Sequence, residues 1–292
     1  MRVAFLILAH NNPNHLGRLI SALSHQNTHC FLHIDKKSTI LPATFRDAPS
    51  VSLSNNRYKV YWGDFSMIMA ILALIEQAVQ HPLHFDRLVL LSGADYPVKP
   101  IDQIVEFFTQ NGNREYINIT RMPDEEAGKP LRRLTRYKIH EGGSLIHRVT
   151  FKLLAKAGLA PQTRTYAEAL GSFTPYGGST WWALTREACQ HIADVIERNP
   201  TLYKYFRNTH YPDEMLFHTI LGNSPFQKHI TRNLTYTDWR NNAASPEVLT
   251  VDHLPTLTSC IINEGHDAFG SGPMLFARKF NDNSIELVEA LT

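Results

Sequence analysis

The sequence is poor in cysteine and has almost no excess of charge of either sign. It has 292 residues and three cysteines, Cys30, Cys189 and Cys260, which lie far apart. This number and spacing predict neither a disulfide framework nor a thiolate metal site, and they favour a reducing compartment. Lys and Arg number 29 against 27 Asp and Glu, so no overall positive charge draws the chain to nucleic acid.

Long apolar runs are also missing. No stretch reaches the roughly 18 uncharged apolar residues typical of a membrane-spanning helix. The first apolar run, Val3–Ala9, is short and is followed at once by His10 and Asn11. We interpret it as a buried first strand, and a signal peptide is the alternative.

Several motifs that identify catalytic and nucleotide-binding sites are absent. The first strand is not followed by G-x-G-x-x-G, and the chain has no G-x-x-x-x-G-K-[ST], no H-E-x-x-H and no G-x-S-x-G. These absences argue against dinucleotide oxidoreductases, P-loop enzymes, zinc proteases of that type and α/β-hydrolases. No Asp-x-Asp follows a predicted strand, a spacing that lets two carboxylates share a divalent cation. The sequence therefore predicts no metal site.

Strand and helix patterns alternate along the chain. Short apolar runs predict strands, and apolar residues at helical spacing predict helices. The first part reads as strand Val3–Ala9, helix Pro13–Ser24, strand Cys30–Ile34, strand Lys59–Trp62, helix Ser66–Val79 with Ser66 as N-cap, strand Arg87–Leu91, helix Pro100–Phe108 and strand Glu115–Ile119. The last part adds strand Thr180–Leu184, a helix from Asp213, strands near Leu234–Thr237 and Met274–Phe280, and an apolar segment at Ser284–Leu291. This alternation predicts an α/β fold, a mostly parallel sheet covered by helices, with ligands beyond the carboxyl ends of the strands.

The middle of the chain is basic. Residues 121–164 hold ten Lys and Arg against four Asp and Glu. Within them Leu145, Val149 and Leu153 form an apolar row, and Arg148, Lys152 and Lys156 form a parallel basic row. The pattern predicts a basic amphipathic helix. Such a helix is either an ordinary solvated surface helix or a contact with a membrane surface or an acidic acceptor.

Polar residues near the ends of the predicted elements are the candidates for chemistry. Those that follow strands are His10, Asn11, Asn12, Asp35, Ser92 and Asp95. Asp213 and Glu214 open a predicted helix, and Arg278 and Lys279 interrupt an apolar segment. Each also has an ordinary structural explanation. Asp213 fits a helix cap, and Trp62, Trp181 and Trp182 fit core aromatics.

Taken together, the motifs resemble glycosyltransferase family 14, the core-2/I-branching β-1,6-N-acetylglucosaminyltransferases and peptide xylosyltransferases. The resemblance runs nearly end to end, through residues 4–10, 33–38, 62–66, 91–99, 178–184, 212–214, 236–239 and 275–280. It implies a GT-A-type (Rossmann-like) fold, with helices on both faces of a mostly parallel sheet. It also implies one domain over 1–292, with a nucleotide-sugar-binding half at 1–120 and an acceptor-side and catalytic half at 121–292.

The resemblance assigns a role to each candidate residue. It places Ala9, His10 and Asp35 around uridine, and Ser92 and Asp95 near the donor sugar and ribose, with Trp62 and Gly63 packed close by. Trp182 or Trp239 stacks on a sugar face, with core packing as the alternative. Glu214 matches the general base, which deprotonates the acceptor hydroxyl. Arg278 and Lys279 replace the metal ion by neutralising the diphosphate, which requires a bulge or loop at this pair because strand neighbours point to opposite faces.

The implied reaction is inverting, metal-independent transfer of a sugar from a UDP donor to a glycan or other hydroxyl acceptor. GlcNAc is the first choice and xylose the second, and no cofactor or nucleic acid partner is expected. A glycoside or nucleotide-sugar hydrolase and an inactive carbohydrate-binding module are the alternatives. We expect a protein without the amino-terminal anchor and stem of the animal enzymes, and the chain has only three cysteines where those enzymes have many. We therefore expect a cytoplasmic, bacterial-type member, with peripheral membrane contact through residues 121–164.

Overall fold

A computed structural model describes residues 1–46, 48, 50–139, 141, 144–159, 163–239, 245–263 and 268–291. The strands are β1 (Val3–Ala9), β2 (Thr28–Ile34), β3 (Val51–Leu53), β4 (Arg87–Ser92), β5 (Asp95–Pro97), β6 (Glu115–Arg121), β7 (Tyr176–Thr185), β8 (Ile230–Thr231), β9 (Thr235–Thr237), β10 (Ile261–Ile262), β11 (Gly272–Pro273) and β12 (Phe276–Arg278). The helices are α1 (Pro13–Ala22), α2 (Ser66–Gln80), α3 (Ile101–Gln110), α4 (Arg132–Thr135), α5 (Leu145–Lys156), α6 (Ala167–Leu170), α7 (Arg186–Arg198), α8 (Pro200–Arg207), α9 (Leu216–Gly222), α10 (Leu254–Thr258) and α11 (Ile285–Leu291).

A seven-stranded sheet with the order β3-β2-β1-β4-β7-β6-β8 forms the centre of the molecule. The strands from β3 to β4 pair in parallel, and β7 runs antiparallel to both β4 and β6. A second sheet, with the order β5-β12-β9, follows the carboxyl end of β4. This arrangement confirms the predicted α/β fold with a mostly parallel sheet.

Helices cover both faces of the main sheet, as predicted. Along β1, Ala4 and Leu6 pack into the core that contains α2, whereas Phe5 and Ile7 pack into the core that contains α1 and α3. Both faces of the strand are therefore buried, which explains its continuous apolar sequence.

Three local predictions were wrong. Lys59–Trp62 is not a strand, and the third strand of the chain is Val51–Leu53. Ser66 is not the N-cap of α2, because it is the first helical residue after the cap position at Phe65, and its Oγ accepts from the Tyr61 backbone N–H at 2.9 Å. The helix predicted from Asp213 is a 3-10 turn over Pro212–Glu214, and α9 begins only at Leu216.

The basic amphipathic helix exists as α5. Val149, Lys152, Leu153 and Lys156 are exposed, whereas the side chains of Leu145 and Arg148 lie outside the described part of the structure. None of the described helices combines the length and apolarity needed to span a bilayer. The division into halves at residue 120, which falls within β6, stays a prediction.

Candidate active site

The second sheet brings Asp95 and Arg278 together. The two residues pair in register between β5 and β12, and Arg278 Nε lies 3.4 Å from Asp95 Oδ1. Asp95 also accepts hydrogen bonds from the Ser92 backbone N–H at 3.0 Å and from Ser92 Oγ at 2.6 Å. Burial raises the pKa of Asp95, while Arg278 and Ser92 oppose that rise. Because its carboxylate is occupied and fully buried, Asp95 positions Arg278 instead of projecting into a ligand cleft.

Arg278 and Lys279 form a pair of adjacent cations at the end of β12. The strand ends at Arg278, as the sequence predicted for this pair, and a cis peptide bond joins the two residues. The guanidinium of Arg278 lies 4.2 Å from the centre of the Trp181 ring. Burial lowers the pKa of both side chains, and the charge of Arg278 lowers the pKa of Lys279 further. Two cations therefore share one buried carboxylate, an arrangement that favours binding of an anion.

The ends of β1 and β2 converge on the same cations. Asp35 donates its backbone N–H to the Ala9 carbonyl at 2.8 Å, and its carboxylate accepts the Lys37 backbone N–H at 2.8 Å. Burial lowers the pKa of His10, the Asp35 charge raises it, and the Lys279 charge lowers it. His10 is thus close enough to interact electrostatically with Asp35 and with Lys279. The predicted nucleotide residues and the two cations therefore lie at one edge of the fold.

Strand β7 carries a bulge between the two halves of the site. Ile117 pairs with Trp182 and Ile119 with Gly178, so Ser179, Thr180 and Trp181 together lie opposite the single residue Asn118. The bulge directs Trp181 to the Arg278 guanidinium and Thr180 to Asp213, whose Oδ2 accepts from Thr180 Oγ1 at 2.7 Å. Bulges of this kind commonly re-aim side chains beside active sites.

Glu214 lies on the other side of this bulge, in the 3-10 turn before α9. Its Oε2 accepts hydrogen bonds from Lys129 Nζ and from Arg133 Nη1, each at 2.5 Å. Among the described residues no donor bonds the other oxygen, Oε1, and the side chain is 25% exposed. Two cations therefore fix the carboxylate and leave one oxygen available to a ligand.

Asp213, beside Glu214, is buried and does not cap a helix. Burial and the neighbouring Glu214 charge raise its pKa to about 6. Its Oδ1 is buried without a hydrogen-bond partner in the described part of the chain. Asp213 ties the turn that carries Glu214 to β7.

An aromatic platform adjoins Glu214. Tyr211 has a left-handed backbone (φ 51°), and its ring lies edge-on to Trp62, with 4.9 Å between the ring centres. Gly63 lies against the same ring, because a Cβ there would come within 2.7 Å of Tyr211 Cε1. The Arg133 guanidinium lies 5.0 Å from the ring centre. Trp62 is 71% exposed, so it contributes to this surface and not to the core.

The two candidates for stacking on a sugar differ in exposure. Trp182 is 2% exposed and packs edge-on against Phe217, so core packing is its role. Trp239 is 53% exposed. It lies two residues after Thr237 of β9, which pairs in register with Arg278.

Sequence reasoning missed the residues that hold the candidates in place. Trp181 was assigned to the core, and Lys129 and Tyr211 received no role in the site. The resemblance places Arg133 on the acceptor side without a definite role, and the excess of Lys and Arg over residues 121–164 was the available signal for Lys129. Within the described residues, no group of three or more His, Cys, Asp or Glu side chains is arranged to hold a metal ion.

Comparisons with known proteins place this chain in a family. The family model named Core-2/I-Branching enzyme matches residues 3–257. The chain is 26% identical over 258 residues to Xylosyltransferase oxt of Drosophila melanogaster, covering 82% of this chain and 26% of that protein. It is 25% identical over 308 residues to Xylosyltransferase 2 of Canis lupus familiaris, covering 100% of this chain and 33% of that protein. The chain thus spans about a quarter to a third of the length of these relatives.

Solved structures give weaker similarity. Mouse xyloside xylosyltransferase 1 in its apo form is similar with 14% identity and a TM-score of 0.39, covering 97% of this chain and 99% of that one. A 4-diphosphocytidyl-2C-methyl-D-erythritol synthase is similar with 10% identity and a TM-score of 0.35, covering 70% and 85%. The family match spans most of the chain, and the chain therefore belongs to the Core-2/I-branching enzyme family, glycosyltransferase family 14.

Proposed function

We propose that this chain transfers a sugar from a UDP donor to a hydroxyl group of a glycan or glycoconjugate, with inversion and without a metal ion. The bulge in β7 is the observation that carries the proposal. It lies between an anchored pair of cations, Arg278 and Lys279, and a fixed carboxylate, Glu214. An inverting displacement requires these two groups on opposite sides of the anomeric carbon.

On the donor side, the bond between the anomeric carbon and the diphosphate oxygen breaks, and negative charge develops on the leaving UDP. Preorganised cations stabilise that charge in the transition state. Arg278 suits this role because Asp95 and Trp181 hold its guanidinium in one orientation, and Lys279 adds a second charge. In this proposal the pair supplies the positive charge that a divalent ion provides in other enzymes.

On the acceptor side, the hydroxyl oxygen attacks the anomeric carbon and its proton moves to Glu214. The free Oε1 is the atom that accepts this proton, because Lys129 and Arg133 both bind Oε2. General-base assistance of this kind accelerates a reaction by about 10²–10⁴-fold.

The nucleotide binds at the ends of β1 and β2 in this proposal. Ala9, His10 and Asp35 surround uridine, with the Asp35 carboxylate accepting hydrogen bonds from the ribose or the base. The relatives named above are xylosyltransferases, so UDP-xylose is the first donor to test and UDP-GlcNAc the second. A cytoplasmic location, with membrane contact through the exposed face of α5, also stays a proposal.

A panel of UDP-sugars tests the proposal, with UDP release measured in the presence and absence of a chelator. We expect acceptor-dependent release from one donor, unchanged by EDTA. Release that is equally fast without acceptor would indicate a hydrolase. Loss of activity with EDTA that Mn²⁺ or Mg²⁺ restores would overturn the assignment of Arg278 and Lys279. Glycan binding without affinity for UDP would indicate an inactive binding module.

A further inference from the structure

A basic cavity of about 480 Å³ lies next to Glu214. Its lining includes Arg132, Arg133, Arg136, His210, Tyr211 and Glu125. Arg133 connects the cavity to the catalytic region, because its guanidinium both lines the cavity and donates to Glu214. A ligand in the cavity is therefore adjacent to the proposed base.

The cavity has more positive charge than its own carboxylates neutralise. Arg132 lies 3.9 Å from Glu125, but both side chains are largely exposed, and such a pair contributes little. Arg136 is exposed and has no carboxylate partner within the described residues. The charges of Lys138, Arg136 and Arg164 add to burial in lowering the pKa of His210, so several cations surround one wall of the cavity.

Tyr211 gives the cavity an aromatic wall. The Tyr211 ring is held between the Arg133 guanidinium, the Trp62 ring and Gly63. The left-handed backbone of Tyr211 is a conformation that is uncommon for a residue with a side chain and that often occurs at functional sites. A flat ring beside an exposed indole offers apolar surface to the C–H face of a sugar. The cavity thus combines a surface for a saccharide with donors for an anion.

We infer that this cavity binds an acceptor saccharide that carries a carboxylate or phosphate group. The inference rests on the proposed function and adds the chemical class of its acceptor. Arg136 and Arg132 bind the anionic group, the Tyr211–Trp62 platform supports the sugar ring, and the attacking hydroxyl faces Glu214. Arginine suits this task because its planar guanidinium donates two parallel hydrogen bonds to a carboxylate or phosphate.

Direct binding tests the inference without requiring turnover. Calorimetry on the full chain would compare p-nitrophenyl β-D-glucuronide, the corresponding glucose 6-phosphate glycoside and the neutral p-nitrophenyl β-D-glucoside. We expect at least one anionic probe to bind about 10-fold more tightly than the neutral one, the size expected for one added charge-assisted hydrogen bond. The comparison of the two anionic probes distinguishes a carboxylate from a phosphate. Raising the salt concentration from about 0.05 M to about 0.5 M should reduce the preference.

A matched pair of variants locates the effect. Arg136→Met should bring the ratio of anionic to neutral affinity close to one. Arg114→Met removes the same charge from an exposed position just before the amino-terminal end of β6. This variant should leave the ratio of anionic to neutral affinity unchanged. Equal affinities in the wild type, no binding of either anionic probe, or a preference that survives Arg136→Met would each overturn the inference. Tighter binding of a short polyglutamate peptide than of both saccharides would also overturn it, in favour of a peptide acceptor.

Transfer assays separate this inference from the proposed function. If UDP-sugar turnover occurs with neutral and anionic acceptors at equal efficiency, the proposed function stands and the acceptor class is wrong. If the anionic probes bind with the expected preference but no UDP-sugar is ever consumed, the cavity is a saccharide site and the transferase assignment is wrong.

Discussion

Glu214 is bound by two cations through one oxygen only, and this geometry gives a sharp prediction at the scale of the residue. Glu214→Gln keeps the size of the side chain and removes its ability to accept a proton. We expect transfer to fall by about 10²–10⁴-fold, the usual contribution of a general base, while UDP affinity is retained. Single-turnover rates and calorimetric titration with UDP measure the two quantities. Turnover near that of the wild type would exclude Glu214 as the base. Glu197→Gln, at an exposed position on α7, is the matched control and should change neither the transfer rate nor the UDP affinity.

Asp95 gives a second residue-scale prediction, on stability. Its carboxylate is fully buried and compensates Arg278, whose side chain is 12% exposed. Asp95→Asn leaves that guanidinium without its counter-charge, and breaking a buried pair in this way typically costs about 3–5 kcal/mol. We expect a loss of that order in the free energy of unfolding, measured with urea. Asp102→Asn is the control, since the Asp102 side chain is 80% exposed. A fully stable Asp95→Asn variant would show that Asp95 does not hold Arg278.

The bulge in β7 is the element on which both halves of the site depend, and Gly178 is its most constrained residue. A Cβ at Gly178 would lie 1.6 Å from the Asn118 carbonyl oxygen, which is backbone and cannot move aside. Gly178→Ala must therefore separate β6 from β7, and overpacking of this kind should lower the free energy of unfolding by about 3 kcal/mol or more. It should also reduce activity, because Thr180 and Trp181 lose their positions.

Gly17 provides a control in which the same change from glycine to alanine should have the opposite effect on stability. It lies inside α1, and a Cβ there would meet nothing within 4 Å. Gly17→Ala should raise the free energy of unfolding by about 0.5–1 kcal/mol, because glycine is unfavourable inside a helix. Urea unfolding of both variants tests the pair. A Gly178→Ala variant as stable as the wild type would contradict the structure of the bulge.

Strands that are buried on both faces could be predicted from sequence. Segments whose structure depends on contacts with distant residues could not. β1 and β2 are short, nearly continuous apolar runs and were found within two residues of their true ends. β3 was missed because it is a three-residue edge strand with partly exposed side chains. The segment at Lys59–Trp62 has a strand-like composition, but the backbone just before it bonds outside any sheet, with Tyr58 N–H donating to His33 Nε2. The bulge in β7 depends on Asn118, which no local pattern reveals.

At the scale of the whole molecule, the α/β architecture was accessible from sequence, whereas the contacts of the site were not. Strand–helix alternation restricts the topology to few possibilities and predicts that the site lies at the carboxyl ends of the strands. The partners of Glu214 are 85 and 81 residues away in the chain. Nothing in the neighbourhood of Lys129 or Arg133 indicates which carboxylate they bind. The motifs therefore predict the reacting groups, and only the fold shows the groups that contact them.

Buried neutral histidines make the whole fold sensitive to acid. Burial lowers the pKa of His15 and His33 to about 4 and that of His218 to about 3. In the unfolded chain these rings take up protons below about pH 6.5. The unfolded state therefore binds more protons than the native state, and stability must fall as the pH drops below that value. Buried carboxyls act in the opposite direction, because burial raises the pKa of Asp95, Glu115 and Asp213.

The histidines should outweigh the carboxyls in the upper part of this pH range, because the unfolded rings take up protons from about pH 6.5 downward, whereas native Asp213, with a pKa of about 6, takes up its proton at lower pH. We expect the free energy of unfolding to fall by about 2 kcal/mol or more between about pH 7 and about pH 5, as measured by urea unfolding at each pH. His33→Gln removes one of the titrating rings and still offers an acceptor to the Tyr58 N–H. It should flatten the pH dependence even if it lowers stability at neutral pH. If the stability of the wild type stays constant or rises on acidification, these rings are not held neutral in the native state, and the packing around His15, His33 and His218 differs from that described here.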